Sequence, residues 1–567
     1  MTNLPSTQHA IQFTGANQLV HNPAKPLAEV GPHDIVLAID SCGICFSDTK
    51  LLHAFDKHPR KSAVVRVDVD PAGRTFDPAA SQADVLAQIE AMPQYAIGPT
   101  PTVPGHEATA HIVAVGESVT RHSVGERVLV QTDYRHLPTA ASNAAFGYNF
   151  EGGLQEYAVV DERIAIEPHT GERFLIPVAE GPTCSAISLI EPWSCVEAAY
   201  AWGERQSVAR HSRMLVVVGP GQQVAGLRAL IGDADPSVIV VAGDPGDELE
   251  GLDAVRRVAS PEEADGSFDD IVYAGADADV IETLAGKLAF GGILDIVLGG
   301  QKIDRPVNVD VGRIHYDLIR FTGTPTASPA DGYAHIPASS GLRTSDRVAI
   351  IGAAGPMGLM HAMRTATSGV PGLSMDAVDV DDSRLAHLAA TVAPVAAANG
   401  VPATFRNSAT SPLAPGYSYL AVMVPSPALL AQAVTLAGSE AIVNAFAGFA
   451  IGTMAPLDLN AVARRGVYLV GTSGSRIRDM KAMLAKVQSG VLDTNVSLDA
   501  VCGLAGFQQA IESVDNRTST GKIMVYPSLP DLGLVRLADM ASTLPDVAAA
   551  MDGERWTKAA EDVLLGR

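Results

Sequence analysis

The stretch Val348-Ala349-Ile350-Ile351-Gly352-Ala353-Ala354-Gly355-Pro356-Met357-Gly358 runs from a short apolar segment into a turn with three glycines. Four apolar residues suit a buried β-strand, and the residues after the turn suit a helix. Glycine lets backbone approach a pyrophosphate closely, and a helix N-terminus adds N–H donors and partial positive charge. Asp379 stands 21 residues after Gly358, at the end of the next apolar run. A carboxylate there accepts hydrogen bonds from ribose hydroxyls and repels a 2′-phosphate, which favours NAD over NADP. Gly352, Ala353, Gly355, Pro356, Met357, Gly358, Asp379 and Arg384 are therefore the candidate dinucleotide-binding residues. The bland alternative is a tight strand–helix turn that holds no ligand.

Working outward, strand-like runs recur at Met375–Val378, Leu420–Val424, Ala441–Ala445 and Val467–Val470, with helical stretches between them. Such alternation predicts βαβ units and a parallel sheet. The preceding block, from about residue 212 to 324, repeats the pattern at Met214–Val218, Ser237–Val241, Asp270–Tyr273, Ile293–Val297 and Leu318–Phe321. Both blocks open on a glycine turn and close on Gly-Thr, at Gly323-Thr324 and Gly471-Thr472. We read a tandem duplication of a Rossmann-like unit, joined by a linker near Pro325–Gly332. The first copy is degenerate. Gly219 and Gly221 are present, but Val224 stands where a third glycine would let the helix pack close, and Asp244 ends its second strand. It reads as a structural duplicate, with a second nucleotide site as the alternative.

Residues from about 30 to 165 read as β-rich, with strands at Asp34–Ile39, Ala110–Val115, Arg127–Gln131 and Gln155–Val160. A polar insertion from about 58 to 100 interrupts them and carries a helix-like segment, Ser81–Met92. After the second block come a helical stretch, Arg476–Ser489, a strand, Gly521–Tyr526, and a helical tail, notably Leu544–Leu565. The expected fold is α/β plus β, with two tandem doubly wound parallel-sheet units. The expected division is 1–204 for the β-rich domain, 205–330 and 331–490 for the two units, 491–527 for a return to the first domain, and 528–567 for a helical extension.

The chain has 567 residues and a formal net charge of -23, which disfavours nucleic acid as a partner. Five cysteines are too few, and odd in number, for a secreted disulfide framework. No leader-like segment opens the sequence and no apolar run is long enough to span a bilayer, so a cytoplasmic protein without a membrane partner is expected.

In the β-rich region Cys42-Gly43-Ile44-Cys45-Phe46-Ser47-Asp48 and Pro104-Gly105-His106-Glu107 carry zinc-competent groups. Three protein ligands plus a water make an open, catalytic zinc site. Taken singly, each segment also suits a thiol pair or an ordinary core histidine. Together with the run Glu117–Val128, Gly152-Gly153-Leu154-Gln155-Glu156-Tyr157, Leu189-Ile190-Glu191-Pro192 and the later glycine turn, they form an ordered set. That set resembles the zinc-containing medium-chain dehydrogenases, nearest the sorbitol dehydrogenase, threonine dehydrogenase and sugar-phosphate reductase branch, over about residues 30–200 and 340–527.

The resemblance implies a GroES-like catalytic domain, one catalytic zinc and NAD. It implies Cys45 and His106 as zinc ligands, Glu107 as the third ligand or a close neighbour, and Glu191 near the metal or its water. It implies Ser47 as the hydroxyl that relays the substrate proton and Asp48 as an orienting group. For Glu191 the bland reading is a helix-start carboxylate. No cluster of four cysteines follows Val130, so a structural zinc is not expected. Lys50 and His53 lie where some relatives place a relay histidine, without an assignable role. The implied reaction moves hydride between NAD and a small polar secondary alcohol, polyol, sugar or sugar phosphate, or the corresponding ketone, in a homo-oligomer (dimer or tetramer). A metal-free quinone or enone reductase and a non-catalytic nucleotide sensor are the competing readings.

Overall fold

In the computed structural model, residues 4–70, 72–252 and 254–567 are described, and they divide into two compact units. One comprises residues 1–195 and 474–567, the other residues 196–473.

The first unit is built on an eight-stranded sheet. Its path runs through Val535–Arg536, Leu498–Cys502, Lys522–Val525, Asp34–Gly43, Glu107–Val115, Arg127–Val130 and Leu175–Pro177, and Tyr157–Asp161 pairs with Asp34–Gly43 off that path. Residues 34–39 alternate poorly because both faces of this strand are covered, and Ile35, Val36 and Leu37 are all inaccessible. Its C-terminal end matters for the site. Gly43 pairs with Glu107 on one side and with Met524 on the other, which brings Glu107 and the neighbouring Lys522 together. A hairpin, Thr7–Gly15 with Gln18–Pro26, precedes this sheet and was not expected from the sequence.

The insertion folds. Ser81 caps the helix Gln82–Glu90 by accepting from the Asp84 N–H. Lys61 is fully buried and donates from Nζ to the carbonyls of Ala96 and Thr100, at 2.8 and 2.6 Å. The tail is less helical than expected. Val535–Arg536 adds a strand, and Leu544–Leu565 splits into the helices Pro545–Ala549 and Lys558–Leu564.

The second unit contains two six-stranded parallel sheets with the same strand order. With strands numbered along each copy, that order is 3-2-1-4-5-6. The first copy uses Arg213–Val218, Val238–Ala242, Val255–Val258, Phe268–Ala274, Leu288–Val297 and Arg320–Thr324. The second uses Arg347–Ile351, Ser374–Asp379, Ala403–Asn407, Tyr417–Val422, Ala437–Asn444 and Tyr468–Val470. The order reverses direction beside each first strand, where doubly wound sheets bind ligands at the strands' carboxyl ends. The copies are joined by the antiparallel pair Val307–Asp310 and Met454–Leu457. They also share one apolar core that includes Leu294, Phe321, Leu420 and Leu469. The fold is thus a β-rich domain with two Rossmann-like sheets.

The segment read as a linker is a packed element. Pro329–Ala334 forms a helix, Thr322 donates to the Gly332 carbonyl at 2.6 Å, and the Tyr333 hydroxyl donates to Asp270 at 2.6 Å. Pro329 stands at the start of this short helix, so the segment is a helix rather than a tether. Among the described residues no helix is long and apolar enough to cross a membrane.

Candidate metal centre and nucleotide cradle

Cys45 closes the strand Asp34–Gly43 and stands at the N-terminus of the helix Phe46–Ala54. The Asp48 carboxylate accepts from the Cys45 N–H at 2.8 Å and fixes that turn. Glu107 begins the neighbouring strand, and His106 stands immediately before it. The sulfur of Cys45, a ring nitrogen of His106 and a carboxylate oxygen of Glu107 all lie within 4.8 Å of one another.

The surroundings orient these donors. Asp48 Oδ1 lies 3.3 Å from His106 Nδ1, and Ser47 Oγ lies 3.1 Å from Nε2. A carboxylate on one ring nitrogen fixes the ring and leaves the other for a metal. Burial alone opposes a charged His106 ring, but Tyr148, Asp48 and Cys45 override it and hold its proton well above the ordinary histidine value. Lys522, also buried, donates to Glu107 Oε1 at 2.5 Å and to the Ile44 carbonyl at 2.8 Å. The other oxygen of Glu107 is buried with no hydrogen-bond partner among the described residues. It faces Gly43, where an added Cβ would come within 2.2 Å of it. A buried carboxylate oxygen without a donor is costly unless a cation satisfies it. Thiol, imidazole and carboxylate at this separation are the donor set zinc takes, so the residues fit that ion.

Glu191 is not among these three. It lies in the first turn of the helix Ile190–Ala201, buried, and accepts from the Cys195 thiol one turn on, at 3.6 Å. Burial pushes its carboxyl up to about 7; the charge of His106 resists this, and Glu107 and Asp133 add to it. Glu191 is therefore in electrostatic contact with the cluster. Cys42 is buried, and its thiol lies 3.7 Å from the Gly43 carbonyl, so the two thiols of the motif have different environments. His53 turns to the surface and pairs with Asp515 at 3.0 Å.

Sequence reasoning missed Lys522, Tyr148, Asp133 and Arg60. The Tyr148 ring stands 5.4 Å from that of His106 and 5.4 Å from that of His58, and the Arg60 guanidinium lies 5.0 Å over it. Burial, then Arg60 and Lys50, push His58 down to about 4. Only Lys522 had a usable signal, as the one cation in an otherwise apolar strand run.

In the second Rossmann-like sheet the glycine turn runs from the strand Arg347–Ile351 into the helix Pro356–Ala366. Gly352 has φ +81, and an added Cβ would meet Val424 at 2.4 Å. Gly358 packs so closely that a Cβ would meet the Ala353 carbonyl oxygen at 2.4 Å. Gly355 caps the helix Pro356–Ala366 with no side-chain acceptor, and a Cβ there would meet nothing nearer than the Arg384 guanidinium at 3.9 Å. That is open space at a helix N-terminus, as a pyrophosphate needs. Asp379 accepts from the Ala354 and Val380 N–H groups at 3.0 and 2.8 Å, and a carboxylate has acceptor capacity left for a ribose.

The first copy differs at the same place. Its helix, Leu227–Ile231, starts late and short. The Glu248 carboxylate accepts from the Gly226 and Arg228 N–H groups at 2.9 and 3.3 Å, so an internal anion occupies the helix start.

Residues 78–169 match the alcohol dehydrogenase GroES-like domain family. The chain is 26% identical over 253 residues to mannitol-1-phosphate 5-dehydrogenase of Aliivibrio fischeri, covering 40% of this chain and 57% of that protein. It is 23% identical over 261 residues to L-sorbose 1-phosphate reductase of Klebsiella pneumoniae, covering 41% and 62%. The chain thus spans less than two thirds of the length of these curated relatives. Among solved structures, 2R,3R-butanediol dehydrogenase from Bacillus subtilis is similar at 14% identity and a TM-score of 0.49, covering 92% of this chain and 100% of that one.

Proposed function

We propose that the chain is a zinc-dependent, NAD-linked dehydrogenase of polyols, sugars or their phosphates, of the medium-chain type. The observation that carries this reading is the convergence of Cys45, His106 and Glu107 within 4.8 Å, from segments about sixty residues apart. The names of the curated relatives, which act on polyol and sugar phosphates, point the same way.

Cys45, His106 and Glu107 would hold the metal. Zinc supplies Lewis acidity, which lowers the pKa of a substrate hydroxyl or polarises a carbonyl. Asp48 Oδ1, 3.3 Å from His106 Nδ1, would orient the ring and leave Nε2 for the metal. Lys522 balances the charge of Glu107, so this carboxylate is a weaker donor than an unpaired one. Ser47, beside His106 Nε2, is the hydroxyl placed to take the substrate proton outward. Glu191, held near neutrality by burial, is the second group able to accept or release a proton there. NAD supplies the hydride acceptor. Gly352, Ala353, Gly355, Pro356, Met357 and Gly358 would receive its pyrophosphate, Asp379 its ribose, and Arg384 flanks the turn.

Metal analysis of the purified protein tests this. About one zinc per chain is expected, together with NAD reduction on addition of polyols or their phosphates. Cys45→Ser and His106→Ala should each lose both zinc and turnover. Full turnover in a zinc-free Cys45→Ser variant would establish the metal-free reductase reading instead, and NAD binding without turnover of any alcohol would favour the sensor.

A further inference from the structure

The two Rossmann-like copies meet as the subunits of a symmetric dimer meet. Aligned on Gly323-Thr324 and Gly471-Thr472, the stretch Val307-Asn308-Val309-Asp310-Val311 of the first copy matches Ala455-Pro456-Leu457-Asp458-Leu459 of the second without a gap. The match holds in the structure. Asp310 and Asp458 each accept from the backbone N–H two residues on, at 3.1 Å, at the entrances to the helices Val311–Tyr316 and Asn460–Arg465. In the antiparallel pair that joins the copies, Asn308 lies opposite its own counterpart, Pro456. Val307 lies opposite Leu457, the counterpart of Val309, and Val309 lies opposite Ala455, the counterpart of Val307. Two equivalent strands paired in this register are related by a two-fold axis through Asn308 and Pro456.

Contacts away from the strands obey the same axis. An added Cβ on Gly323 would meet Ala463 at 2.8 Å, and one on Gly471 would meet His315, the counterpart of Ala463, at 3.0 Å. Gly312 packs on Ile451, whose Cα an added Cβ would meet at 2.7 Å. Asn460, the counterpart of Gly312, donates to the carbonyl of Ile303 at 2.9 Å and accepts from its N–H at 3.0 Å, and Ile303 is the counterpart of Ile451. Each contact thus occurs twice with the partners exchanged, which defines an isologous interface. The chain also enters and leaves the first copy at one point. Gly203 bridges Ser339 in antiparallel fashion, the Glu204 N–H donates to the Ala338 carbonyl at 3.2 Å, and the Ser340 N–H donates to the Trp202 carbonyl at 2.9 Å.

We propose that the first copy occupies, from within the chain, a self-complementary face through which the second copy would otherwise pair with a second copy of this chain. A two-fold interface buries the same patch on both partners. The patch here is apolar: Val307, Val309, Ala455 and Leu457 are all wholly inaccessible. Left open, such a face drives association. Because the internal partner is tethered, its effective concentration is on the order of millimolar, so pairing within the chain outcompetes pairing between chains at ordinary protein concentrations. The homo-oligomer implied by the family resemblance therefore does not form through this face. The inference stands on packing alone and is independent of the dehydrogenase reading.

The test reads cysteine bridges and mass in the full-length protein. Asn308 and Pro456 are both exposed, so Asn308→Cys and Pro456→Cys place thiols on the axis without touching the core. Residues opposite each other in an antiparallel pair have Cα atoms about 4.5–5.5 Å apart, within disulfide reach. On mild oxidation the double variant should close a bridge within one chain, and neither single variant should gain a bridge between chains. Val309→Arg and, separately, Gly312→Leu put charge or bulk into the first copy's half of the interface alone. Each should double the mass found by sedimentation equilibrium, as the freed face of the second copy pairs with its like. Pro456→Cys added to either should then link two chains, because Pro456 of each chain would face Pro456 of the other across the axis. Bridges between chains in the double variant, or in Pro456→Cys without an opening substitution, would overturn the proposal. An opened variant that keeps the native circular dichroism and the wild-type mass would overturn it too. Should neither opened variant fold, the bridges in the single and double variants decide the matter alone.

Discussion

Lys522 is the residue on which the charge state of the site depends. It is 5% exposed, and its partner Glu107 is wholly inaccessible. Replacing one member of a buried pair leaves the other uncompensated, at a cost of about 3–5 kcal/mol. Lys522→Met should show that loss by urea unfolding in a chelator. Zinc would restore the missing positive charge, so the loss should shrink to below about half when metal is added. An equal loss in both states would mean that Glu107 does not sense the metal. His136 makes an independent prediction away from the centre. Among the described residues neither of its ring nitrogens has a hydrogen-bond partner, and the ring stacks on Phe174 at 5.4 Å. Burial, with a contribution from His169, pushes it from 6.5 down to about 3. A depressed histidine binds fewer protons folded than unfolded, so its stabilisation is whole above pH 6.5 and is lost as pH falls towards 3. The loss attributable to this group is about 2 kcal/mol by pH 5. His136→Phe should therefore remove about that much of the difference in unfolding free energy between pH 7 and pH 5, and identical pH profiles would refute the assignment. At this scale the metal-competent residues were legible because their order along the chain is distinctive. Lys522 carried a signal, as the one cation in an apolar strand run, but a lysine in a strand ordinarily reads as a solvated edge residue and so was passed over.

Elements were legible where burial on both faces wrote continuous apolar runs. The apolar runs Val348–Ile351 and Met214–Val218 each mark their strand, Arg347–Ile351 and Arg213–Val218, to within one residue. The third strand of each Rossmann-like sheet, Val255–Val258 and Ala403–Asn407, left no such trace. Both are edge strands, and their outer positions carry Arg256, Arg257 and Arg406, as edges do to resist further pairing. The tail is the other element that pattern alone misjudged, because its function is set by one side chain. Glu561, 1% exposed, accepts from the N–H groups of Cys184 and Ser185 at 2.6 and 3.0 Å and from the Tyr526 hydroxyl at 2.9 Å. It thus caps the helix Cys184–Ser188 from a segment nearly four hundred residues away in sequence. Glu561→Ala would leave three buried donors unsatisfied, at about 1–3 kcal/mol each before relaxation. A fall in unfolding free energy of at least about 3 kcal/mol is expected, with Glu561→Gln losing less because one acceptor remains. A Glu561→Ala protein as stable as wild type would show that the tail rests on the fold without holding it.

The molecule carries two Rossmann-like sheets where one nucleotide suffices, and the packing gives the duplicate a purpose other than binding. Strand Val307–Asp310 of the first copy pairs with Met454–Leu457 of the second, with Val309 opposite Ala455. Val309, Ala455, Phe321 and Leu469 belong to one shared core, so each copy buries apolar surface that the other would otherwise expose. The first copy's strands and core thus have a packing role that its glycine turn does not share. In that turn Val224 is buried where a nucleotide turn would need glycine, and Glu248 fills the start of the following helix. A carboxylate on those N–H groups opposes a second anion there by like charge and by taking its donors. Calorimetric titration with NAD should therefore give one site per chain. Asp379→Ala should weaken that site about tenfold or more, the worth of charge-assisted bonds to a ribose. Asp244→Ala, which alters the corresponding position of the first copy, should leave affinity and stoichiometry unchanged. Two equivalent sites in the wild-type titration, or loss of half the binding in Asp244→Ala, would show that the first copy still holds a nucleotide and that Glu248 yields its place to one.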